Sequence, residues 1–310
     1  MSPNAASKTS PSSHAEPSDG PIVSKPAALS AGLYIVATPI GNLRDITLRA
    51  LETLAAADLV ACEDSRVTRK LLSAHGISAK LTAYHEHNAE RARPSLIKRM
   101  EQGESVALVS DAGTPLVSDP GHKLVRDAAA VGLAVTVIPG ACAPLAGLIA
   151  SGLPSDRFLF AGFLPNKSAT RRRELEALAT VPATLVFLES AKRLPQALTD
   201  MAAVLGPRPA AIARELTKLH EELRRGDLGT LTAHYAEAGP PKGELVVIVG
   251  PDETRRDLTD EQIDSLLRPE LADASLRDAV DSVAGATGLP RRRIYKRALV
   301  LSGETAGDTG

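Results

Sequence analysis

Tryptophan is absent from the 310 residues, and aromatic residues make up only 3%. The core must therefore be built from aliphatic side chains and alanine. So few rings argue against recognition by many stacked bases, as in proteins that coat single strands. Cysteine is nearly as scarce. Cys62 and Cys142 cannot make a disulfide framework, and no zinc-ligand spacing accompanies them. Their small and apolar surroundings fit a reducing compartment, so the expected location is the cytoplasm. No apolar run approaches the roughly 20 residues a membrane helix needs, and the N-terminus has no apolar signal core. The formal net charge is -1, which excludes a global field that draws in nucleic acid. The common nucleotide fingerprints are missing too. No GxGxxG follows the first strand, there is no GxxxxGK[ST], and no GxSxG elbow occurs.

What is present is a chain long enough for two or three domains, 44% hydrophobic. It is organised around the stretch Val106 to Gly121. Val106-Ala107-Leu108-Val109 is a compact apolar run, as expected for a strand buried on both faces. Ser110 to Pro115 follows as a loop, and Asp119 and Pro120 carry N-cap and first-turn signals for a helix. Similar strands are expected at Leu33 to Ala37, Leu59 to Cys62, Leu81 to Tyr84 and Ala134 to Ile138. Helical patterns alternate with them. One has Asp45 as its N-cap and Leu48, Leu51, Leu54 and Ala55 as its apolar stripe, and another is capped by Ser65. Five alternations predict a parallel, doubly wound α/β domain. Three strand ends carry Pro/Gly loops: Thr38 to Asn42, Asp111 to Pro115 and Pro139 to Ala143. Strand ends of a parallel sheet share one edge, so the loops can converge on one ligand. The loops are too poor in basic residues to clamp a triphosphate, and a plain strand-to-helix connection accounts equally well for any one of them.

The expected organisation is a disordered tail over 1–30, rich in Ser, Pro and Ala, an N-terminal α/β domain over 31–152, and a second α/β domain over 153–252. A helical unit over 255–303 follows. The second domain shows a basic helix from about Ala169 to Ala179, strands at Thr184 to Leu188, Ala210 to Ala213 and Glu244 to Val249, and a helix capped by Ser190. A mixed sheet is expected. In the third unit Thr259 and Gln262 form a capping-box pattern, and Ser275 caps a second helix. Gly288 turns the chain into a helix bearing Arg291, Arg292, Arg293, Lys296 and Arg297. This resembles a helix-turn-helix, a form that contacts nucleic acid or serves as a plain packing module. The clusters Arg171-Arg172-Arg173, Arg224-Arg225 and Arg255-Arg256 read first as solvated faces. His85 and His87 are two potential ligands, too few for a closed metal site, so no metal is expected.

The runs LYIVATPIGNLRDITLRALETL, ACEDSRVTRKLL, YHEHN, ALVSDAGTPLVSDPG, SGLPSDRFLFAGFLP and ARELTKLHEE resemble the ribosomal RNA small subunit methyltransferase I group. That group lies within the tetrapyrrole methylase superfamily, the class III methyltransferases. The resemblance runs from about Gly32 to about Ser302. It implies S-adenosylmethionine as methyl donor and a two-domain α/β fold with the cofactor in the interdomain cleft. As acceptor it implies a cytidine ribose 2′-hydroxyl in the decoding region of small-subunit ribosomal RNA. A homodimer is usual. By motif position it implies cofactor contacts at Pro39, Ala112, Gly113, Thr114, Cys142, Ala143, Leu188 and Glu189. Ala141-Cys142-Ala143 departs from the Pro-Ser-Ala common in relatives, so a hydroxyl is lost there. A methyltransferase acting on a tetrapyrrole or other small molecule, and a non-catalytic RNA-binding relative, are the alternatives.

A 2′-hydroxyl must lose a proton during methyl transfer. The candidate acceptors are Glu63, Asp64, His85, Glu86, Asp111, Glu189, Glu215 and Lys218. Glu86 and Glu215 lead because both lie in runs specific to the RNA-modifying group, although Glu215 can equally pair with Arg214 or Lys218. Phosphates of a folded RNA are expected at Arg171, Arg172 and Arg173, and at Arg291, Arg292, Arg293 and Lys296.

Overall fold

The computed structural model describes residues 28–118, 121–252 and 258–302. The first sheet comprises β1 (Gly32–Val36), β2 (Leu59–Cys62), β3 (Leu81–Ala83), β4 (Ser105–Val109) and β5 (Val135–Ile138). All its pairings are parallel, in the order β3-β2-β4-β1-β5. Every residue of β4 is buried, because helices cover both faces. On one face Leu33, Leu59, Val106 and Leu108 pack with Leu96 and Met100 of α3 (Ala89–Glu101) and Leu124 of α4 (His122–Ala130). On the other, Val36, Val60, Ala107 and Val109 pack with Ala50 and Leu54 of α1 (Leu48–Ala56) and Leu72 of α2 (Ser65–Ala74). This is the expected doubly wound arrangement. The chain therefore leaves β1 and β4, which are neighbours, toward opposite faces. That divergence opens a crevice between their carboxyl ends.

Two helix starts of the first domain differ from expectation. Asp45 closes a short 3-10 turn, and Thr47 caps α1 by accepting from Ala50 N. Asp64, not Ser65, caps α2, since its extended backbone aims the carboxylate at Arg66 N. The described part of α4 begins at His122; the expected signals at Asp119 and Pro120 lie outside the described residues, as do Arg255 and Arg256 and the tail as far as residue 27.

The second sheet comprises β6 (Phe158–Phe163), β7 (Thr184–Ser190), β8 (Pro209–Arg214), β9 (Glu222–Asp227) and β10 (Glu244–Val249), in the order β6-β7-β10-β8-β9. Only β6 and β7 pair in parallel, so the sheet is mixed, as expected. Strand β9 and helix α8 (Leu228–Ala238) were not foreseen. Ser190 ends β7 rather than capping α7 (Leu194–Leu205), whose N-cap is Arg193. Helices α7 and α8, with α6 (Ser168–Leu178), cover one face through Leu175, Leu198, Met201, Leu231 and Tyr235. The opposite face is covered by α5 (Ala143–Ser151), which follows β5 of the first sheet; its Leu148 packs among Val186, Ala211, Val246 and Ile248. Arg225 fastens this junction by donating to Ser151 O at 2.9 Å and Ala150 O at 2.6 Å. A guanidinium is well placed on the carbonyls that end a helix. This residue of the Arg224-Arg225 cluster is therefore structural.

The same holds for Arg171, which corrects its expected role at an RNA surface. Arg171 is only 2% exposed. It pairs with Asp200 at 2.6 Å and donates to Pro165 O and Asn166 O. Its neighbours Arg172 and Arg173 are exposed. The C-terminal unit packs α9 (Asp260–Asp273), α10 (Leu276–Thr287) and α11 (Arg291–Ser302) around Ile263, Leu267, Val280 and Ile294. The Thr259–Gln262 capping box and the Ser275 cap are both formed. Within α11, Arg291 pairs with Asp281, Arg293 with Asp260, and Arg297 with Asp264 and Asp260. Arg292 and Lys296 are exposed and carry no ion pair among the described residues. Among the described residues no helix is long and apolar enough to cross a membrane.

Removing one partner of a buried ion pair leaves the other uncompensated, at a cost of about 3 kcal/mol or more. Asp200→Ala is expected to lower the unfolding free energy by that amount in a urea titration. Replacing both Arg171 and Asp200 with apolar residues should recover most of it. A single variant within about 0.5 kcal/mol of wild type would contradict this role.

Candidate cofactor cleft

The crevice at the carboxyl ends of β1 and β4 is closed into a cradle by three loops. Thr38 and Gly113 form an isolated antiparallel bridge, with Thr38 N donating to Gly113 O at 2.9 Å and Gly113 N to Thr38 O at 3.1 Å. The Thr38 hydroxyl donates to Ser110 O at 3.2 Å. Thr114 Oγ1 donates to Ala141 O at 3.0 Å, which brings in the loop after β5. The sequence requires glycine at the centre. Gly113 has φ +78°, and a Cβ there would lie 3.1 Å from Ile40 Cγ2. A β-branched residue cannot adopt that backbone without strain.

Above these loops lies a cleft of about 380 Å³, between the first sheet's loops and the ends of β7 and β10. Seven of the eight expected cofactor residues line it: Ala112, Gly113, Thr114, Cys142, Ala143, Leu188 and Glu189. Pro39 lines a neighbouring cleft of about 410 Å³. The two clefts share Ile40, Ala112 and Glu244. The first is walled by small and apolar side chains with Thr114 and Glu189 among them, so it can enclose an organic ligand and exclude water. Cys142 lines it where a hydroxyl is common in relatives, leaving polar contact on that loop to backbone groups.

Glu189 is 3% exposed, and burial pushes its carboxyl above the usual range. Ser190 N at 2.7 Å and the Arg193 guanidinium at 3.2 Å partly oppose that shift. It lines the cleft as a buried carboxyl paired with Arg193. Backbone strain also concentrates here. Among the described residues the non-glycine positions with positive φ are Leu116, Ser118, Glu215 and Thr217. Ser118 lines the first cleft, and Glu215 and Thr217 flank Leu216, which lines it too. Such strain persists where surrounding structure holds it, typically at functional sites.

The structure separates the two carboxylates favoured as proton acceptors. Glu86 is exposed in the turn after β3, at the sheet edge two strands from β4, and lines neither cleft. Glu215 is in the right neighbourhood but is engaged. Its Oε1 accepts from Lys218 Nζ at 2.9 Å and from Glu244 N at 3.0 Å. The Lys218 contact holds its carboxyl below the usual range. Burial pulls the Lys218 ammonium down, but bonds to Glu215 and Glu244 outweigh it and the net shift is upward. Glu215 and Lys218 are thus paired with each other, and Lys218 with Glu244 as well. Asp111 lines the second cleft; its Oδ1 accepts from Asp64 N at 2.9 Å, tying the loop after β4 to the start of α2. His85 and His87 meet edge to face at 6.0 Å. Among the described residues no group of three or more His, Cys, Asp or Glu is placed to hold a metal. What sequence reasoning missed is the second cleft, because its walls come from segments far apart in the chain: the loop after β1, α2, and the loop after β8.

The tetrapyrrole (corrin/porphyrin) methylase family matches residues 32–232, and the RsmI C-terminal HTH domain matches 257–302. The chain is 57% identical to ribosomal RNA small subunit methyltransferase I of Mesorhizobium japonicum, over 90% of this chain and 95% of that protein. It is 56% identical to the protein of that name in Erythrobacter litoralis, over 88% and 96%. Among solved structures, uroporphyrin-III-C-methyltransferase from Thermus thermophilus shares the fold at TM-score 0.52 and 24% identity, covering 71% of this chain and 94% of that one.

Gly113→Val is expected to abolish binding of S-adenosylmethionine in a calorimetric titration while far-UV circular dichroism stays native. Undiminished affinity would refute the cradle.

Proposed function

Since this chain belongs to the tetrapyrrole methylase family, and within it to the ribosomal RNA small subunit methyltransferase I family, we infer that it methylates small-subunit ribosomal RNA with S-adenosylmethionine as donor. The observation that carries this reading is the convergence of three bridged loops on one cleft lined mainly by small and apolar side chains. When bound there, the cofactor supplies a methyl group on a sulfonium, whose positive charge disperses as the methyl transfers. The chain's contribution is chiefly positioning, which can supply much of the rate. Backbone groups of the loops at Ala112 to Thr114 and Cys142 to Ala143 hold the cofactor, with Leu188 shaping the wall, while Pro39 lines the neighbouring cleft. Glu189 adds a buried carboxyl, oriented by Arg193, to the wall. The finer acceptor is the 2′-hydroxyl of a cytidine ribose in the decoding region. The second cleft, which shares Ile40, Ala112 and Glu244 with the first, leaves room for the acceptor beside the cofactor.

The RNA-facing charges on this reading are those that stay exposed: Arg172, which only grazes Asp200 at 4.0 Å, and Arg173 on α6, and Arg292 and Lys296 on α11. Arg292 and Lys296 are four residues apart and so share one face of their helix. Arg291 and Arg293 serve the helical unit's own ion pairs. A homodimer is proposed as well. Val137 on the edge strand β5, Leu145 and Ile149 on α5, and Phe158 and Phe163 on the edge strand β6 are all exposed apolar residues on three consecutive elements. Exposed apolar surface beside sheet edges is commonly covered by a partner. An RNA substrate made during ribosome assembly fits the cytoplasm.

Incubation with radiolabelled S-adenosylmethionine and undermethylated small ribosomal subunits should place label on one ribose 2′-oxygen. Label on a small molecule but not on RNA would favour the small-molecule alternative, and no cofactor binding would favour the non-catalytic one. Charge reversal at Arg292 and Lys296 together should lower the slope of log affinity against log salt by about one per lost phosphate contact. Cofactor affinity should not change. An unaltered slope would remove α11 from the RNA interface.

A further inference from the structure

The second cleft stands beside the cofactor cleft with no role yet. One wall comes from the loop after β1 and from α2, both of the first domain, and the other from the loop after β8. At about 410 Å³ it is the size of a small-ligand pocket. Two of its lining side chains, Leu43 and Val67, are large, apolar and more than 40% exposed. They are exposed apolar side chains of this cleft against which a base can rest. Two lysines line the same cleft. Lys70 on α2 is exposed and has no ion pair among the described residues.

Lys218 reaches in from the second domain. Its placement is built rather than incidental. The side chain passes so close over Gly41 that a Cβ there would overlap it, and that Cβ would also lie 2.9 Å from Leu216 O. Glu215 anchors the ammonium from within, on a loop with positive φ at Glu215 and Thr217. The other partner, Glu244, has a side chain 75% exposed. That outer bond is a solvated pair which another anion can replace.

We propose that this second cleft seats the acceptor nucleotide, with its base against Leu43 and Val67 and its phosphate held between Lys70 and Lys218. The proposal rests on the methyltransferase reading and gives that site its substrate-positioning residues. Lys218 gives up its outer bond to Glu244 for the phosphate and keeps Glu215. The phosphate that follows a ribose lies next to its 2′-oxygen, so gripping it sets the distance from that oxygen to the shared lip at Ile40 and Ala112.

The test uses the full chain with methyl-labelled Leu and Val, titrated with cytidine 3′-monophosphate. Methyl signals of Leu43 and Val67 should shift. Lys70→Gln and Lys218→Gln should each weaken binding about tenfold, the loss of one charge-assisted contact, while Lys70→Arg stays near wild type. Toward small ribosomal subunits each glutamine variant should raise KM about tenfold, with the affinity for S-adenosylmethionine unchanged. If the nucleotide shifts neither methyl, or if both glutamine variants bind it as tightly as wild type, the proposal fails. Absence of methyl transfer by the wild-type protein would defeat the methyltransferase reading instead, and the nucleotide titration would still decide the pocket.

Discussion

The bridge between Thr38 and Gly113 is the interaction on which the site depends. Parallel winding sends the chain from β1 and β4 to opposite faces of the sheet, which opens a crevice but leaves its lips unconnected. Two backbone hydrogen bonds close it, and the Thr38 and Thr114 hydroxyls extend the lock to Ser110 and Ala141. The result is a rigid rim made almost wholly of backbone. Such a rim suits a ligand with polar edges, and it explains why the loops contain so few charged residues.

The second constraint is α5. It follows β5 in the chain but packs against the second sheet, where Leu148 is buried and Arg225 grips the helix's last carbonyls. One helix therefore joins the two sheets, and its N-cap Cys142 and first residue Ala143 line the cleft. Much of the basic character apparent in the sequence is spent on such joints. Arg171, Arg225, Arg293 and Arg297 all have structural partners. What remains exposed for RNA is a smaller set on α6 and α11.

The doubly wound sheet was legible because fully buried parallel strands read as compact apolar runs, and β4 is buried at every position. The three loops were legible as Pro/Gly strand ends, and seven of eight residues named from motif position share one cleft. Strand β9 was not legible. It is an edge strand with the sequence ELRRGD, and its pairing is satisfied by β8 alone. Helix α8 escaped notice because its start is marked by Asp227, which still belongs to that strand. The direction of an arginine cannot be read from a run of three: Arg171 is buried while Arg172 and Arg173 are exposed, since successive helical residues face different sides. The pairing of Glu215 with Lys218, three residues on, was legible in the sequence; the bond it accepts from Glu244 N was not, because that strand is far away in the chain.

The second cleft follows from the same architecture. A strained loop from one domain leans over Gly41 of the other, and the two clefts meet at Ile40, Ala112 and Glu244. The central claim is that the bridged loops form one cradle for S-adenosylmethionine. A structure with S-adenosylhomocysteine bound tests it most directly. The account predicts the ligand against Ala112 to Thr114 and Cys142 to Ala143, beside Leu188 and Glu189. A ligand seated elsewhere, with those loops uncontacted, would contradict it.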